Sequence, residues 1–90
     1  MFILTLEGKE SEGAYSVTAE DGEQVLYIFE EVDDAIRFAL LLVDQDYPEM
    51  HVIEVDGKVV IKTCELHDYR YSVITKNDIV IPPPIDHDFI

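Results

Sequence analysis

Residues 25–55 constrain the fold more than any other part of the chain. An apolar strand, one long helix and a second strand follow there with little between them. "VLYIF" is apolar on both faces, as a central strand must be. "HVIEV" (residues 51–55) reads as the second strand. A strand–helix–strand run of this length is the crossover that joins parallel strands. The chain has 90 residues, 48% of them apolar, so it can build one domain around one core.

The helix is expected over residues 32–45. At about 100° per residue, Val32, Ala35, Ile36, Ala39, Leu40, Leu42 and Val43 form one broad stripe, which predicts the buried face. Asp33, Asp34, Arg37 and Asp44 fall away from its centre. The acids of "EEVDD" (Glu30, Glu31, Asp33 and Asp34) sit at the first turn, where unpaired N–H groups and the helix dipole favour negative charge. Asp33 and Asp34 are also spaced to pair with Arg37. Their expected role is to start the helix, not to hold a metal or move protons. Phe38 then lies at the stripe's edge and Leu41 nearly opposite its centre. Asp34, Arg37, Phe38 and Leu41 are therefore the candidate protein contact, an apolar centre with a charged rim.

Around this unit, "FILTL" is an opening strand, residues 7–13 a polar turn, and "AYSVT" an alternating strand. Asp21-Gly22 is a hairpin signal. Residues 57–66 admit two readings. Asp56-Gly57 before β-branched residues suggests a hairpin strand; alternatively Asp56 caps a helix with Val60 and Cys64 on one side. "YRYSVI" is a closing strand. Three consecutive prolines at 82–84 reject helix and central strand. The expected organisation is one domain over residues 1–76 and a proline-rich acidic tail over 77–90. The expected fold is α+β, a two-layer sandwich close to a ferredoxin-like plait, with a mixed β-sheet, an added N-terminal hairpin and both helices on one face.

Asp and Glu number 20 against 6 Lys and Arg, a formal net charge of -14. That charge repels nucleic acid and anionic lipid and favours a basic protein surface. One cysteine, Cys64, cannot form an internal disulfide, which fits a reducing compartment. The start lacks the pattern of a signal peptide, and no apolar run is long enough to cross a bilayer. A cytoplasmic location is expected. Cys64 has His67 within one turn, but Glu65 and Asp68 beside it oppose thiolate formation. Asp86, His87 and Asp88 lack a scaffold for a fixed metal site. No catalytic residue, metal site or cofactor is expected.

Phe29, Glu30, Asp33, Asp34, Ala35, the run Arg37, Phe38, Ala39, Leu40, Leu41 and Leu42, and then Gln45, Asp46 and Pro48 together carry a resemblance. With "FILTL", "EGAYSV", Cys64 and Tyr69 in the same order, residues 2–75 resemble an uncharacterised small-domain family of cyanobacteria and plant plastids. The distinctive proline-rich end fits a cyanophage member of it. The resemblance implies no known activity. It does imply a short helix at 57–66 with a cysteine near its end, although Gly57 and Val59-Val60-Ile61 depart from that family's acid-rich helix.

The expected function is a non-catalytic protein-binding or regulatory module whose partner is another protein with a basic surface, or a second copy in a homodimer. The alternatives are a nucleic-acid mimic that inhibits a basic protein, and a small carboxylate- or metal-dependent enzyme.

Overall fold

Strand β3 (Gln24–Phe29) is the centre of the sheet, as its two apolar faces require. The computed structural model describes residues 1–6, 13–19 and 21–78, with the backbone of residues 87–89. Its elements run β1 (Phe2–Leu6), β2 (Tyr15–Thr18), β3, α1 (Val32–Asp44), β4 (Met50–Glu54), α2 (Gly57–Leu66), β5 (Arg70–Ile74) and β6 (His87–Phe89). β5 pairs in parallel along β3, from Val25 with Arg70 to Phe29 with Ile74. On the other edge of β3, β2 takes the first half and β1 meets the end, both antiparallel. β4 pairs antiparallel with all of β1, and β6 with β2. The sheet is mixed, as expected.

Strand alternation divides the core in two. Phe2, Leu4, Tyr27 and Phe29 face α1, with its Ala35, Phe38, Ala39 and Leu42. Ile3, Leu26 and Ile28 face the other way, against Val60, Ile61 and Cys64 of α2. The helices therefore cover opposite faces, and the expected two layers are in fact three. Chain direction is the reason. A ferredoxin-like plait places an antiparallel strand between its two crossovers, which keeps both helices on one side. Here β4 leads directly into α2, and β3, β4 and β5 all point the same way. One right-handed crossover runs outward over β1 and the next runs back, which puts successive helices on opposite faces.

Residues 57–66 are helical. The carboxylate of Asp56 accepts a hydrogen bond from the Lys58 N–H at 3.0 Å, and this N-cap outweighs the hairpin signal of Asp56-Gly57. Gly57 serves close approach: a Cβ there would lie 2.7 Å from Met1 Sδ. The Met1 carbonyl in turn accepts from the Val55 N–H at 2.8 Å. The hairpin signal at Asp21-Gly22 is real, with Gly22 at φ 86° between β2 and β3. Backbone pairing of residues 87–89 with β2 returns part of the expected tail to the sheet. The prolines at 82–84 lie outside the described residues, as do the side chains of Asp86, His87 and Asp88.

Both helices stop in the same way. Asp46 and Asp68 adopt left-handed conformations, at φ 64° and 57°. The following Tyr47 and Tyr69 amides bond back to the Leu42 and Cys64 carbonyls at 3.0 and 2.8 Å. These are Schellman ends, in which glycine is the unstrained residue. The aspartates also place negative charge at the unfavourable end of the helix dipole. Asp46→Gly and Asp68→Gly should each stabilise the fold by about 0.5–1 kcal/mol, seen as a rise of a few degrees in the melting temperature.

At the centre of the α1-side core, Tyr15 is almost fully buried. Burial, then the neighbouring Tyr47 and Tyr27, push its hydroxyl well above the ordinary tyrosine range. The folded state thus holds this proton more tightly than the unfolded chain. The stability tied to it is complete below about pH 10 and is lost as the pH rises beyond. A spectrophotometric titration should show Tyr15 ionising late and together with loss of structure, and Tyr15→Phe should retain more stability at high pH.

Candidate protein-contact site

Helix α1 presents apolar residues around most of its circumference, so volume and shape decide which side is buried. Phe38, the largest side chain on the helix, is 1% exposed. Its ring lies 5.4 Å from that of Phe29 and 5.6 Å from those of Tyr15 and Tyr27, in tilted or edge contacts. Such pairs add stability beyond the area they bury. Ala35 and Ala39 flank Phe38 and let the helix approach the sheet closely. The buried stripe is Asp34, Ala35, Phe38, Ala39 and Leu42. It is turned about 80° around the helix axis from the stripe expected.

This rotation revises the candidate contact residue by residue. Phe38 belongs to the core and cannot meet a partner. Leu41 is half-buried, not opposite the core. Asp34 is only 8% exposed. Arg37, on the exposed side, donates to Asp34 Oδ1 at 2.7 Å. Asp34 Oδ2 is buried and accepts no hydrogen bond among the described residues. The two charges form a local pair within the helix. Glu30, Glu31 and Asp33 stay exposed at the helix start.

Of the residues expected inside, Ala35, Ala39 and Leu42 are buried and four lie outside. Val32, Ile36, Leu40 and Val43 are 40%, 44%, 61% and 40% exposed. Steps of four, four and three residues place them in one stripe. Ile36, Leu40 and Val43, with Ala39, form one wall of a cleft of about 250 Å³. Met50 and Val52 of β4 form its floor, and Glu49 stands at its mouth. Asp33 and Asp44 lie on α1 next to the stripe, within three residues of Ile36 and four of Leu40. The result is an apolar cleft bordered by carboxylates. The single aromatic residue of the helix is the sequence signal for its buried side, although the rings that receive it converge only in the folded sheet.

A second hollow, of about 310 Å³, lies on the opposite face. Val59, Val60, Thr63 and Cys64 of α2 line it, with Leu26, His67 and Tyr69. The His67 and Tyr69 rings stack at 5.6 Å. Burial first, and then Glu65, raise the Cys64 thiol, which opposes nucleophilic chemistry there. Thr63 returns its hydroxyl to the Val59 carbonyl. Among the described residues, no three His, Cys, Asp or Glu side chains converge as metal ligands would. No described helix is long and apolar enough to cross a membrane.

Fold and surface together define a small α+β domain whose most distinctive feature is an apolar cleft beside an edge strand. The chain belongs to the family described as Domain of unknown function (DUF3110), whose model matches residues 1–84. No curated protein and no solved structure matches it.

The site geometry separates core from surface on one helix. Phe38→Ala should cost about 3–5 kcal/mol, enough to abolish or nearly abolish cooperative folding. Leu40→Ala, two residues on, should cost under about 0.5 kcal/mol. Denaturant melts of the two variants check this. Equal losses would mean that the helix is seated differently.

Proposed function

We propose that the chain is a protein-binding module whose contact surface is the outer stripe of α1 with the cleft beside β4. The observation that carries this reading is the exposure of Ile36, Leu40 and Val43 along one face, next to a cleft floored by Met50 and Val52. Scattered single apolar residues on a surface need no explanation, whereas a contiguous stripe over a cleft is the usual mark of a contact. The border carries the same message. Asp33, Asp44 and Glu49 surround the apolar centre, and the chain as a whole bears a net charge of -14. Such a field speeds the approach of a basic protein and slows that of nucleic acid or a second copy. Nothing in this function requires chemistry at a side chain; Leu40 and its neighbours supply affinity, and the carboxylates supply orientation.

Burying a leucine side chain contributes about 1.5–3 kcal/mol, so Leu40→Asp should weaken partner binding tenfold or more without lowering the melting temperature appreciably. Val59→Asp, at an equally exposed position on α2, should leave binding intact. Affinity purification with the wild-type chain and both variants, followed by titration of the recovered partner, makes the comparison. A partner that tolerates Leu40→Asp but not Val59→Asp would move the function to the opposite face.

A further inference from the structure

We infer that the occupant of the cleft is an extended basic segment of another protein, which pairs with β4 as an added strand. This inference rests on the protein-binding reading and specifies its mode. All five residues of β4 pair with β1, from Met50 with Leu6 to Glu54 with Phe2. No described strand lies on its other side. By the register with β1 the N–H and C=O groups of Met50, Val52 and Glu54 point outward, and an edge that meets no strand among the described residues is a template for another. Proteins commonly guard such edges with lysine, proline or a bulge. "MHVIE" contains neither residue, and its pairing register with β1 is unbroken.

The cleft lies where an added strand would need it. Met50 and Val52 pack in the same cluster as α1, so side chains on that face of the next strand, about 4.8 Å further out, would enter the same space. Ile36, Leu40 and Val43 overhang it from α1. Backbone pairing with β4 and apolar side chains beneath α1 are therefore available to one extended segment at once, which is how strand addition combines affinity with selectivity. A helix laid on the stripe would leave the polar groups of the edge unpaired.

Charge selects the occupant's remaining positions. Glu49 and Glu54 bracket β4, and Asp33 and Asp44 flank the stripe on α1. Arg37, the cation on that helix, is already engaged by Asp34. An added strand with apolar residues facing α1 and Lys or Arg at its two ends, beside Glu49 and Glu54, meets this border favourably. A second copy of the chain, paired edge to edge about a two-fold axis, would bring Glu49 of one copy beside Glu54 of the other, with -14 approaching -14.

A library of random peptides displayed on phage, selected against the full chain, tests the inference. Enriched peptides are synthesised and titrated while backbone amides are followed by NMR. The expected peptides place apolar residues at alternate positions with Lys or Arg at the ends of that run, and their binding weakens as salt rises. Binding should slow amide exchange in β4, fall tenfold or more with Leu40→Asp, and be abolished by N-methylating the peptide amides that face β4. Peptides that bind as helices along α1, leaving exchange in β4 unchanged, would overturn strand addition while the protein-binding reading stands. Acidic peptides, or a dimer of the chain that Leu40→Asp dissociates, would overturn the basic partner. A selection yielding no peptide sensitive to Leu40→Asp would overturn both readings.

Discussion

The packing of the Phe38 ring against Tyr15, Tyr27 and Phe29 sets the rotation of α1, and the rest of the surface follows from it. A helix with apolar residues on nearly every side can be seated in several ways, each burying a similar number of aliphatic groups. Only one seating buries its single aromatic ring, and it does so where two alanines permit close contact with the sheet. Interior packing rewards matched shape as well as apolar area. With Phe38 inside, Ile36, Leu40 and Val43 have nowhere to go but outward, over the edge formed by β4.

Chain direction supplies the second constraint. β4 leads straight into α2, and the two strand–helix–strand crossovers travel in opposite senses across β3, so each face of the sheet receives one helix. A domain of this size thereby buries both sides of its central strand. Among the described residues the division leaves α1 as the helix over β4, β1 and β3 on one face, with Ile36, Leu40 and Val43 exposed on the side towards β4. The apolar cleft is the space left beneath it.

Much of the fold was legible in the sequence. The apolar run of β3, the Asp21-Gly22 turn, the extent of α1 and the order of the elements all follow from local pattern, because hydrogen bonding, periodicity and turn chemistry act within a few residues. The helix at 57–66 was ambiguous because Asp56-Gly57 can start a hairpin or cap a helix; the approach of Met1 to Gly57 favours the second, and that contact joins opposite ends of this part of the chain. The seating of α1 differs from the expected stripe for a related reason. Which of two apolar faces turns inward depended on Phe29, Tyr27 and Tyr15, whose convergence on Phe38 is a property of the assembled sheet. With Phe38 and Asp34 buried, Ile36, Leu40 and Val43 take the place of Asp34, Arg37, Phe38 and Leu41 in the proposed contact, on the same helix.

The most direct measurement of this arrangement is solvent paramagnetic relaxation, read at the side chains of α1 in dilute solution. With a soluble, uncharged gadolinium chelate, the methyl signals of Ile36, Leu40 and Val43 should broaden strongly, while the Leu42 methyls and the Phe38 ring protons stay sharp. Strong broadening at Phe38 with shielded Leu40 methyls would contradict the seating of α1, and with it the cleft proposed as the site of contact.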